Sequence, residues 1–153
     1  MEDYLTVRSI TFTLPFALAS LNIRQRQHWA ELHRAQRMVS QEVMAAIKGP
    51  RHYPHPPYQA CSVTVVRSSA GALDDDNLWA SCKPLLDALC VASLRHPAGL
   101  GIIVDDSPDR LSLTVRQADA APGDGATTVV VREVEYVPPP PKARRSRKAA
   151  TSR

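Results

Sequence analysis

Between His28 and Lys48 the apolar residues Trp29, Leu32, Met38, Val39, Val43 and Ile47 recur at intervals of three and four, and Ala35 fills the gap. This is the period of an amphipathic helix, and Gly49-Pro50 stops it. Trp29 falls on the stripe and is expected in the core. A helix with one long apolar face must cover an apolar surface, and the neighbouring segments supply strands for it. Residues 5–14, LTVRSITFTL, alternate Ile10, Phe12 and Leu14 up to Pro15. Residues 59–67, QACSVTVVR, hold apolar side chains on both faces and read as a well-buried strand. RLSLTVRQ reads as a third strand, and TTVVVREVEYV as a fourth that pairs with it as a hairpin. Residues 15–27 have no clean period and read as a long loop.

A second helix is expected from about Asn77 to Val91, carried by Leu78, Leu85, Leu86 and Leu89. Pro84 interrupts it and would cost about 3 kcal/mol in a helix interior. Either the helix kinks there, or its regular part starts near Ser81 and leaves Pro84 in the first turn. The fold expected is α+β, a mixed or antiparallel sheet of about four strands with two main helices packed on it. Residues 1–137 form the domain. Residues 138–153 are expected to form a proline-rich, then basic, disordered tail.

Charge is divided unevenly between these parts. Six of the 19 lysines and arginines, and none of the 15 acids, lie beyond Val137, so the body is mildly acidic although the whole chain carries +4. Aromatic content of 5% argues against a multi-base stacking platform. Cys61, Cys82 and Cys90 are odd in number and lack Cys-x-x-Cys spacing, which argues against a zinc site or a disulfide framework and for a reducing, cytoplasmic setting. No signal peptide or membrane span is read.

The chemistry concentrates in LDDDNLWASCKPLLDAL, residues 73–89. Adjacent carboxylates repel one another and resist burial unless cations compensate them. In extended geometry Asp74 and Asp76 share a face about 6.6 Å apart while Asp75 points away. Such a pair can bridge a hard cation such as Mg²⁺, and Asp105 and Asp106 can supply a third ligand. The plainer reading is an exposed turn or helix cap. Lys83 either serves this site or pairs with Asp87 four residues on, and Asn77 either orients a carboxylate or caps the helix.

Taken in order, Asp74, Asp76, Asn77 and Leu78, then Lys83, then Asp87-Ala88-Leu89, then Val104-Asp105-Asp106 resemble the RusA-like Holliday junction endonucleases. Ser20 and Asn22, in LPFALASLNIRQRQHW, resemble that family's N-terminal segment. The resemblance implies a homodimeric, Mg²⁺-dependent endonuclease, with Mn²⁺ able to substitute, that nicks four-way DNA junctions in recombination and repair in a bacterial or phage-infected cell. It implies Asp74, Asp76 and Asp106 as metal-binding acids, with Asp105 a further candidate, and Lys83 as the catalytic lysine. Two departures stand out: Lys83 lies seven rather than four residues after Asp76, and Phe16-Ala17-Leu18-Ala19 replaces a proline pair. Offsets of four and seven share a helix face, so the lysine can still be directed at the acids.

Phosphate contacts are expected from Asn22, Arg24, Arg26, Arg34 and Arg37, and from Lys142, Arg144 and Arg145 of the tail. Two alternatives keep the same fold: a junction-binding protein without turnover, and a nuclease preferring flaps or other branched DNA. His52, His55 and His96 lack ligand spacing and receive no role.

Overall fold

The computed structural model describes residues 7–142, and within them the chain is α+β. Strand β1 (Ser9–Leu14) leads through a short helix α1 (Leu21–Gln25) to the long helix α2 (Trp29–Ile47). Then come β2 (Cys61–Ser69), two short helices α3 (Asp75–Ser81) and α4 (Lys83–Leu89), β3 (Leu111–Asp119) and β4 (Ala126–Glu133). No helix among the described residues is long and apolar enough to cross a membrane. Residues 134–142 hold neither helix nor strand, and Arg144, Arg145 and the rest of the tail lie outside the described residues.

The sheet is four-stranded and mixed, in the order β1-β4-β2-β3. β4 runs antiparallel to both β1 and β2, while β3 pairs only with β2 and runs parallel to it. The expected β3–β4 hairpin is therefore absent, and the Ala120–Gly125 link carries the chain across β2. Burial explains the order. Thr127, Val129 and Val131 of β4 are fully buried and suit an interior strand, whereas β3 beyond Leu111 is mostly exposed and suits an edge.

One sheet face is the core face. Phe12, Leu14, Val63, Val65, Val129 and Val131 meet Val43 and Ile47 of α2 and Leu85, Leu86 and Leu89 of α4. The other face carries Thr11, Thr13, Ser62, Thr64, Thr128 and Thr114, none of them buried. β2 thus buries alternate residues rather than both faces. Arg8 ties the start of β1 to the end of β4 through a two-bonded pair with Glu133 at 2.6 and 2.7 Å.

Helix α2 follows the sequence closely at its ends. His28 is its N-cap, with Nδ1 accepting from the Ala30 N–H and the Glu31 carboxylate accepting from the His28 N–H. Lys48 ends it in the left-handed conformation, φ 68°. Trp29, however, is 66% exposed and is not in the core. The buried residues of α2 are Ser40, Val43 and Ile47, all in its C-terminal half, so the first two turns lack a covering surface. The Trp29 ring lies against His28 and His33 instead. Within the segment read as a loop, Ser20 caps α1 by accepting from the Ile23 N–H.

Pro84 divides the second helical stretch in two. Its missing N–H leaves the Ala80 carbonyl without an i+4 donor, and the Arg24 guanidinium donates to that oxygen at 3.3 Å. The Cys82 N–H turns back to Trp79 O, and α4 restarts with Pro84 in its first turn, where no N–H is needed.

Candidate functional site

The segment before α3 is clamped to the sheet. Leu73 N–H donates to Gln117 Oε1 at 2.7 Å and Gln117 Nε2 donates back to Leu73 O at 2.8 Å. Buried Arg67 donates to Leu18 O and Gly71 O, tying the same turn to the loop after β1. The next residue, Asp74, is the N-cap of α3. One of its oxygens accepts from the Asn77 N–H and the other from Asn77 Nδ2, both at 2.9 Å. These bonds hold its carboxyl below the usual carboxylate range. Asp75 and Asp76 occupy the first helical turn, where the helix dipole favours negative charge. The stretch is therefore not extended, and the alternation expected of Asp74 and Asp76 does not exist. All three aspartates are exposed, and Asn77 serves the cap.

A second acidic group assembles at the other end of the helical pair. The loop after α4 folds back over the helix end: Leu89 O accepts from both Ile102 N–H and Ile103 N–H, and Val91 N–H donates to Ile103 O. Gly99 allows this return, because a Cβ there would lie 2.3 Å from Cys90 O. Asp105 and Asp106 follow the buried Ile102-Ile103 pair and arrive beside α4. There Lys83 Nζ contacts Asp106 Oδ2 and Asp87 Oδ1, each at 2.7 Å. Burial alone would lower the Lys83 pKa, but the bonds to Asp106 and Asp87 outweigh it and raise the pKa. Burial likewise pushes Asp106 upward, and Lys83 more than reverses it.

Behind this ion pair lies His96, only 7% exposed. Its backbone is fixed by Ser93, whose Oγ accepts from the His96 N–H and whose own N–H donates to His96 O. Cys90, His96, Asp105 and Asp106 each place a donor atom within 4.8 Å of the others, a group able to hold a metal ion. The Cys90 thiol is pushed up to about 12, first by burial and then by the surrounding carboxylates. Cys61 and Cys82 are buried as well, and each is pushed up to about 11 by burial.

Of the acids singled out in the sequence, Asp105 and Asp106 thus converge with Lys83 and Asp87, whereas Asp74 and Asp76 are outside the donor group. His96 and Cys90 had no signal in the sequence, because their partners come from one loop folding back on one helix end rather than from a short repeat. The cationic residues divide similarly. Arg24 lies in α1 against α3, with Asn22 on the same short helix and Arg26 at its C-cap. Arg34 and Arg37 are exposed on α2, and Lys142 is exposed beyond β4. No family model matches this chain, and no curated protein matches it.

Proposed function

We propose that the protein is a homodimeric, divalent-metal-dependent endonuclease of branched DNA. The observation that carries this reading is the pairing of Lys83 with Asp106 across 23 residues of sequence, which brings the lysine of the first motif to the acids of the second. The oxygen donors of Asp105 and Asp106 suit Mg²⁺, with Mn²⁺ as a substitute, and Asp74 and Asp76 are the further acids of the same reading. Such an ion would activate water and offset charge on the phosphodiester. Lys83, positively charged and half-exposed, holds a phosphate oxygen and opposes the negative charge that develops on it. Arg24, Arg26, Arg34 and Arg37 hold backbone phosphates without reading sequence. Two-fold symmetry would present one such site to each of two equivalent strands of a four-way junction.

The test is nicking of a synthetic four-way junction in Mg²⁺, run beside a flap and a linear duplex. Wild-type protein is expected to nick the junction, and Asp106→Asn, Asp76→Asn and Lys83→Ala to lose that activity. Cleavage that persists in excess chelator would overturn the metal dependence.

A second reading, junction binding without turnover, is favoured by one observation. Both Asp74 oxygens are committed to Asn77 and Lys83 is committed to two carboxylates. It predicts a mobility shift of the junction with no nicks in Mg²⁺ or Mn²⁺.

A further inference from the structure

The buried histidine has a place in the fold that the nuclease reading does not use. His96 is more than nine-tenths buried, yet neither ring nitrogen makes a hydrogen bond. Two unsatisfied polar atoms in a protein interior are costly unless something else engages them, a hydrogen-bond acceptor at the ring N–H and an electron-pair acceptor at the other nitrogen. The surroundings say what that is. Nδ1 lies 3.2 Å from Asp87 Oδ1, a carboxylate placed to orient the ring. Nε2 points the other way, 3.8 Å from Asp106 Oδ1 and 4.0 Å from Asp105 Oδ1. Those separations are too long for hydrogen bonds. They are close to the roughly 3.4 Å between two ligand atoms of a tetrahedral ion with bonds of about 2.1 Å. The Cys90 sulfur completes the group within 4.8 Å.

We infer that Cys90, His96, Asp105 and Asp106 form a site for a borderline transition ion of the Zn²⁺ class, with Asp87 orienting His96 from behind. The donor set decides the class of ion. Sulfur and imidazole nitrogen together select Zn²⁺, Co²⁺ or Fe²⁺, whereas Mg²⁺ takes oxygen ligands. An imidazole whose second nitrogen faces a carboxylate is a recurrent arrangement around bound zinc. The ion uses Oδ1 of Asp106 and leaves Oδ2, the atom that Lys83 holds, on the outer side. On binding, the Cys90 thiol gives up its contact with Leu86 O, and its proton passes to the buffer. Local contraction, by about half an ångström between His96 and the two aspartates and by roughly 1 Å across the widest pair, brings the four donors to bonding distance. The site shares Asp105 and Asp106 with the nuclease reading and puts a Zn²⁺-class ion in place of Mg²⁺ there, but it does not depend on that reading, since a chain that never cuts DNA would bind the ion equally.

Chelator-stripped full-length protein titrated with Co²⁺ alone tests this without DNA. One ion per chain is expected, with the near-ultraviolet charge-transfer absorption of a cobalt thiolate, and Zn²⁺ should displace it while excess Mg²⁺ does not. Cys90→Ser should remove that absorption. His96→Gln should weaken Zn²⁺ binding in calorimetry by about 100-fold or more, at or beyond the upper end for loss of a group outside the ligands. Asp105→Asn alters the most exposed ligand and should weaken Zn²⁺ in a chain whose circular dichroism is unchanged. An absorption that survives Cys90→Ser, no thiolate absorption in the wild type, or Zn²⁺ affinity unaltered in folded Asp105→Asn would each overturn the site.

Discussion

Lys83 Nζ lies 2.7 Å from Asp106 Oδ2, and this contact joins the start of α4 to the loop that returns over its end. The lysine side chain is 49% exposed and the carboxylate 11%, so solvent screens only one side of the pair. A double-mutant cycle with Lys83→Met and Asp106→Asn is expected to give a coupling of about 1 kcal/mol. The coupling should shrink in high salt, and a value near zero in low salt would show that the contact does not stabilise the fold.

Stability should fall at both ends of the pH range. Asp106 and Glu133 have folded pKa values below their unfolded ones, held there by Lys83 and Arg8. Their contribution is present above the unfolded values near about 4 and is lost as pH falls through the folded ones. Lys83 is shifted upward, so its contribution is present below about 10.4 and is lost as pH rises through the folded value. Thermal melts against pH should therefore show both limbs, and Asp106→Asn should make each shallower.

Asp74 offers a way to separate capping from catalysis. Asparagine caps a helix as well as aspartate does, whereas alanine does not. Asp74→Ala is expected to cost about 1 kcal/mol in denaturant unfolding, and Asp74→Asn less than about 0.5. If Asp74 also binds the catalytic ion, both variants lose junction nicking. Full nicking by Asp74→Asn would leave it a cap alone.

Pro84 occupies a position where proline is tolerated, so its removal should matter little. Pro84→Ala is expected to change stability by less than about 1 kcal/mol, well short of the ~3 kcal/mol that relieving an interior proline would return. A larger gain in denaturant unfolding would mean that α3 and α4 are one helix held apart by strain.

Both tryptophans are largely in solvent, Trp29 at 66% and Trp79 at 51% exposed. Native fluorescence is expected close to that of the unfolded chain in wavelength. Trp29→Ala should cost less than about 1 kcal/mol, against the 3–5 kcal/mol typical of a core tryptophan. A strongly blue-shifted native emission would contradict this placement.

Much of the local structure was legible because it depends on neighbours in sequence. The period from Leu32 to Ile47 and the stop at Gly49-Pro50 marked α2 to within a residue or two, and all four strands were placed, β1 and β3 by alternation and β2 by its apolar content. Trp29 was misplaced for a specific reason: period gives the face of a helix, but not how far the surface it packs on extends. The α1 turn was missed because five residues are too few to show a period.

For the candidate site, Lys83, Asp105 and Asp106 were legible as motif residues, and their meeting is a fact of the loop's return over Leu89. Asp74 illustrates the opposite outcome. An extended reading put it beside Asp76, but three residues later Asn77 supplied both donors of a cap, and helix formation rotated the two acids apart.

The sequence by itself determined most of the elements: where the strands and long helix run, where the acids cluster, and that Pro84 interrupts a helical stretch. These follow from side-chain period, φ restriction and local hydrogen bonding, which act over a few residues. Only the tertiary structure decided that β4 lies between β1 and β2, that Trp29 faces solvent, and that His96 meets Cys90, Asp105 and Asp106. Those outcomes depend on which surfaces remain to be covered once the elements form, and no run of neighbouring residues encodes that.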